Sequence, residues 1–179
     1  MFVAIDTETK LIPTFTVGKW DSENAHRFMG ELRNRLNGNG LIQMATDGFR
    51  AYLTAVESAF GADVPYAQLV KLCVSENPGL GRYSPPRVTE TVSTPINGNP
   101  DPRYVSTSYV ERQNLTMRMQ MRRFTRLTNA FSTSLRNLKS ALALHFCHYN
   151  FVRIHGRLRV TPAMAAGITG QVWSLEDLL

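Results

Sequence analysis

Two short apolar, β-rich runs that each stop at an aspartate restrict the fold of this chain more than any other feature. Residues 2–5 (Phe-Val-Ala-Ile) lead into Asp6, and residues 41–46 (Leu-Ile-Gln-Met-Ala-Thr) lead into Asp47. Runs of this length with a polar stop predict buried strands. Thr9 and Lys10 turn the first strand back, and residues 11–17 alternate weakly as its return. Elsewhere the period becomes helical. Ala25, Phe28, Met29, Leu32 and Leu36 fall near one face of a helix capped by Asp21 or Ser22. The run 37–40 (Asn-Gly-Asn-Gly) stops it. Tyr52, Ala55, Val56 and Phe60 share one side of a helix predicted over 48–60, and residues 66–73 predict another strand. Strand, strand, helix, strand, helix, strand, then helices predicts a mixed α/β domain. The 179 residues suit one core, so a single domain over 1–179 is expected.

Residues 75–102 break the pattern. They hold six of the nine prolines and three glycines, and read as an insertion with a short strand at 87–92. A long helical region is predicted from Tyr109 to about Phe131, opened by Ser106-Thr107-Ser108. A second helix is predicted from Ser134 to Tyr149 or beyond, and Pro162 suits the first position of a short one.

Charge divides along the chain. Residues 1–102 carry 9 Lys/Arg against 11 Asp/Glu; residues 103–175 carry 11 Lys/Arg against Glu111 alone. So basic a half, mixed with aromatics, points to a polyanion, and nucleic acid comes first. A membrane surface fits less well, since no basic amphipathic segment has a strong apolar face. No segment approaches the roughly 20 apolar residues of a membrane span. No basic stretch precedes an apolar one at the N-terminus, so no secretory signal is expected. Cys73 and Cys147 show neither a disulfide framework nor CxxC spacing, and a reducing cytoplasm is the expected compartment.

Ligand sites in α/β sheets gather at the carboxyl ends of strands. Asp6 and Asp47 would lie side by side if their strands were parallel neighbours. Their repulsion would then call for a hard divalent cation, Mg²⁺ or Mn²⁺. Each has a plainer reading, Asp6 as the cap of its own turn and Asp47 as a turn residue before Gly48. Glu111 is the third candidate, with a capping box (Ser108-x-x-Glu111) as its plainer reading. Asn114, Leu115 and Arg118 follow Glu111 on its helical face, and Arg122 comes one turn later. A carboxylate continued by arginines suits a metal beside a phosphate backbone. Arg112, Arg118, Arg122, Arg123 and Arg126 cannot all face one way. Some of Met117, Met119 and Met121 are expected in the core.

The stretch 106–119 (Ser-Thr-Ser-Tyr-Val-Glu-Arg-Gln-Asn-Leu-Thr-Met-Arg-Met) with 122–131 resembles the catalytic helix of bacterial insertion-sequence transposases of the DDE type, most of all the insertion-sequence-one type. Residues 148–155, Leu158 and 161–167 are similar to that family's C-terminal end, as are 3–6 and 46–48. The resemblance implies a ribonuclease-H-like, retroviral-integrase-like fold: a mixed sheet flanked by helices. It implies Asp6, Asp47 and Glu111 as catalytic and metal-holding residues for two Mg²⁺ or Mn²⁺ ions, with Asp6 bridging. Asn114, Arg118, Arg122, Arg126 and Arg153 are the expected DNA contacts. The partner implied is double-stranded DNA, both element ends and target, bound by a homo-oligomer in the nucleoid. The activity implied is strand cleavage and strand transfer. Such transposases carry a zinc-binding and helix-turn-helix region before the first catalytic strand, whereas five residues precede Asp6 here. A catalytic domain alone is therefore expected. A truncated fragment that only binds DNA or interferes with full-length partners is the alternative, and a ribonuclease-H-like nuclease of another role a third. His145, His148, His155 and Cys147 are read as core or DNA-facing rather than as a zinc site. Trp20 and Trp173 are read as packing residues.

Overall fold

A computed structural model describes residues 1–36, 42–62, 64–74, 87–125 and 129–178. The chain divides into two compact units: residues 1–20 with 108–179, and residues 21–107. Residues 75–86 of the predicted insertion and Arg126 lie outside the described residues.

Unit 21–107 is the α/β part. Helix α1 (Ser22–Arg35) starts where Asp21 accepts the Asn24 amide at 2.9 Å. Such a cap is worth about 1 kcal/mol. Its buried residues, Ala25, Phe28, Met29 and Leu32, keep the i, i+3, i+4, i+7 spacing of the sequence. Helix α2 (Ala51–Phe60) buries Tyr52, Ala55, Val56 and Phe60 and packs on α1. Numbering the strands along the whole chain, β3 (Met44–Asp47) pairs in parallel with β4 (Tyr66–Val74). Strand β4 pairs antiparallel with β5 (Arg87–Asn97). The result is a three-stranded mixed sheet, ordered β3-β4-β5 and flanked by helices. Strand β5 is nearly twice as long as predicted, because the antiparallel ladder on β4 runs to Asn97 and accommodates Pro95 at a register shift.

Unit 1–20/108–179 starts with β1 (Phe2–Val3) and β2 (Phe15–Thr16), an antiparallel pair much shorter than predicted. Helix α3 (Ser108–Gln120) follows, then a 3₁₀ turn at Arg122–Phe124. Helix α4 (Leu135–Cys147) continues into a π-helical turn, His148–Val152. Helix α5 (Pro162–Ala165) has Pro162 in its first turn, and Thr161 caps it through the Met164 amide. Ile12, Met117, Leu142, Phe146 and Tyr149 form the core. Met1, Val3, Ile5, Phe15 and Val17 pack against it, so the N-terminal strands share one core with the C-terminal helices.

One condition on the site is not met, and one expectation is corrected. The parallel neighbour of β3 is β4, whereas β1 pairs antiparallel with β2, so the two aspartates do not end neighbouring strands of one ladder. The α-helix around Glu111 stops at Gln120, well short of Phe131. Met121 leaves helical geometry (φ −113°, ψ 106°), which removes Arg122 from the Glu111–Arg118 helical face.

Candidate active site and nucleic-acid interface

Asp6 closes its own turn. Its Oδ1 accepts the Glu8 amide at 3.2 Å; its Oδ2 accepts the Thr9 amide at 3.1 Å and the Thr9 hydroxyl. The main chain completes the loop, with Lys10 N–H donating to Asp6 C=O at 3.0 Å and Asp6 N–H to Leu11 C=O at 2.9 Å. A carboxylate offers about four lone pairs. Both on Oδ2 are taken, which leaves one on Oδ1. This arrangement suits one monodentate cation contact. The bridging role expected of Asp6 would require the Thr9 hydroxyl to swing away.

The turn places Lys10 in the left-handed region at φ 62°. Lysine adopts that conformation at a cost that glycine avoids. The residue is nearly buried, at 7% exposure. Its Nζ donates to Thr7 C=O and stands 3.9 Å from the centre of the Tyr109 ring. Tyr109 lies in the first turn of α3, two residues before Glu111. The Lys10–Tyr109 contact thus ties the Asp6 turn to the start of the Glu111 helix.

On α3, Gln113 and Met117 are buried, and Met121 packs on the core just past the helix end. Met119 is 79% exposed. Glu111 and Leu115 are exposed and Asn114 and Arg118 half-buried. By helical spacing these four lie opposite the Gln113–Met117 side, so the predicted face exists as far as Arg118. The α-helix begins at Ser108, with Glu111 in its first turn.

Asp47 lies in the other unit, at the carboxyl end of β3 and ahead of α2. It is exposed, and its Oδ1 accepts the Phe49 amide at 3.1 Å. Two phenols neighbour it. Burial pushes the Tyr52 hydroxyl well above the usual tyrosine range, and the Asp47 charge adds to this. Burial also raises Tyr66, whose hydroxyl shares a 2.7 Å hydrogen bond with Thr46. Both rings stay neutral and firmly placed beside the carboxylate.

Arg153 is exposed and follows the π-helical turn. In that turn the buried Asn150 accepts the Ile12 amide at 3.0 Å and donates to the Ile12 carbonyl at 2.9 Å. Asn150 therefore acts as a one-residue strand partner for Ile12. A second loop, 155–160, repeats the hydrogen-bond pattern of 6–11. Arg159 N–H donates to His155 C=O at 2.8 Å, His155 N–H donates to Val160 C=O at 3.0 Å, and Arg159 takes the left-handed position at φ 63°. Burial lowers the basicity of His155, and Lys10, Arg153 and Arg157 lower it further. His145 is lowered by burial, His148 and Arg153. Trp173 packs on Phe151 at 4.5 Å, as expected, whereas Trp20 contacts Phe2 while 55% exposed.

Taking each unit by itself, no group of three or more His, Cys, Asp or Glu side chains is placed to hold a metal ion among the described residues. No helix among them is long and apolar enough to cross a membrane. No protein-family model, curated protein or solved structure matches the chain. Sequence reasoning missed Lys10, Tyr109 and Arg157. A lysine at the closing position of a tight turn, where glycine or asparagine is the easy choice, was the available signal for Lys10.

Proposed function

We propose that the chain is the catalytic part of a DDE-type transposase with a ribonuclease-H-like arrangement, which cleaves and joins double-stranded DNA in a metal-dependent reaction. The observation that carries this reading is local. Asp6 and Glu111, 105 positions apart in sequence, belong to one compact unit, with the Asp6 turn fastened by Lys10 to the first turn of the Glu111 helix. That unit also holds 12 of the 20 Lys/Arg against 5 of the 14 Asp/Glu, the charge balance expected beside a phosphate backbone.

Asp6, Asp47 and Glu111 are the proposed ligands of two Mg²⁺ or Mn²⁺ ions, with Asp6 giving one oxygen. A divalent cation bound there would supply charge stabilisation at the scissile phosphate. Asn114 and Arg118, on the Glu111 face, and Arg122, Arg126 and Arg153 hold and orient the DNA backbone. Water attacks phosphorus in cleavage and a terminal 3′-hydroxyl attacks it in joining. Each step breaks one P–O bond as it makes another, so no side chain becomes bonded to DNA. A homo-oligomer assembled on DNA in the nucleoid completes the proposal.

One observation favours a second reading, a DNA-binding fragment without chemistry. The Asp6 carboxylate is already engaged as a turn cap by three donors. Asp47→Asn and Glu111→Gln separate the two readings. Under the catalytic reading each abolishes metal-dependent nicking and leaves duplex affinity within a few-fold. Full nicking by either variant removes that residue from the site.

A further inference from the structure

Lys10 is a nearly buried cation without a carboxylate: among the described residues its Nζ contacts a backbone carbonyl and an aromatic face, and no acidic oxygen lies within ion-pairing distance. Burying a charge without a counter-charge is costly. The chain also accepts a left-handed lysine to put it there, and strained positions of this kind gather at binding sites. Asn150 bonds both main-chain groups of Ile12, which lays the turn ending at Lys10 alongside the segment that runs on to Arg153, His155 and Arg157. The charges of Lys10, Arg153 and Arg157 all lower the basicity of His155, after its burial. The His155 Nδ1 is buried with no hydrogen-bond partner among the described residues. Lys10 closes loop 6–11 and His155 opens loop 155–160, two loops with one hydrogen-bond pattern.

We infer that Lys10, Arg153, His155 and Arg157 form a binding cluster for backbone phosphates of DNA, beside the Asp6 turn. A phosphate supplies both missing elements, a counter-charge for the cations and an acceptor for the His155 ring. The exposed Arg153 and Arg157 form the outer contacts. Lys10 stands behind them, adding to the positive field while its ring contact fixes the turn. The cluster rests on the proposed DNA-processing function, but only on its DNA-binding half.

The test is duplex binding by the whole chain, followed by anisotropy of a labelled duplex of arbitrary sequence across a salt series. Each lost phosphate contact lowers the log–log salt slope by about 0.9. Arg157→Met and Arg153→Met are each expected to weaken binding several-fold and to flatten the slope by about that amount, and Lys10→Met, which removes charge behind those contacts, to weaken binding and flatten the slope by less. Lys10→Arg is expected to keep the slope. A purely structural role for Lys10 would lower the melting temperature of Lys10→Met without moving the slope. Should Lys10→Met fail to fold, the exposed Arg153 and Arg157 variants still decide. Folded variants with wild-type affinity and slope would overturn the cluster, as would a wild-type chain that binds no duplex. A chain that shows the slope changes yet never nicks DNA would keep the cluster and remove the catalytic reading.

Discussion

Asn150 and Asp6 illustrate how single residues divide between architecture and chemistry. Asn150 satisfies both main-chain groups of Ile12 in a buried setting. Asn150→Ala would strand those two groups, at roughly 1–3 kcal/mol each. Chemical denaturation is expected to show a loss of about 2–6 kcal/mol, and a loss under about 1 kcal/mol would mean that water replaces the amide. Asp6 is harder to test cleanly. Asparagine has one acceptor oxygen, so Asp6→Asn disturbs the turn as well as any metal contact. Asp47, with a single amide on Oδ1, is the cleaner probe. The sequence made Asp6 and Asp47 visible because both follow apolar runs. It hid Asn150, whose partner lies 138 residues away. It also hid Lys10, whose role comes from a left-handed backbone angle and from Tyr109.

Among the elements, α1 and α2 are the most legible: Ala25, Phe28, Met29 and Leu32 of α1 and Tyr52, Ala55, Val56 and Phe60 of α2 are buried as their periodicity predicts, whereas Leu36 falls just past the end of α1 and α2 starts at Ala51 rather than 48. Their amphipathic pattern is long, regular and bounded by a good cap or a glycine. Strands β1 and β2 were legible in place but not in length, because a two-residue ladder leaves most of each apolar run packed as irregular chain. Helix α3 was overextended because no proline or glycine marks its end. Met117 fills the core of its unit, and Met121 packs against that core from outside the helix. Met117→Ala is therefore expected to cost about 2–5 kcal/mol. Met119→Ala, on the open side, should stay within about 0.5 kcal/mol. Equal effects in thermal or denaturant melts would contradict this facing of α3.

For the molecule as a whole, charge and protonation follow the division into units. The basic half seen in sequence belongs largely to unit 1–20/108–179, while unit 21–107 is near neutral, with 8 Lys/Arg against 9 Asp/Glu. His145 and His155, both in the basic unit, have basicities lowered by burial and by neighbouring cations. The unfolded chain therefore takes up more protons than the folded one once pH drops below about 6.5, and folding stability falls with it. The melting temperature should decline as pH falls below about 6.5, the ordinary histidine value. Replacing both histidines by glutamine should flatten that decline. A melting temperature that rises on acidification would place the histidines in a charge-stabilising setting instead.

The central claim, that these carboxylates cut DNA, meets its most direct test in the nicking of supercoiled plasmid with Mg²⁺ or Mn²⁺, comparing wild type with Glu111→Gln. The account predicts nicking by the wild type that needs the cation and vanishes in the variant, with duplex binding retained in both. A wild type that binds DNA and leaves the plasmid intact with either cation would contradict it.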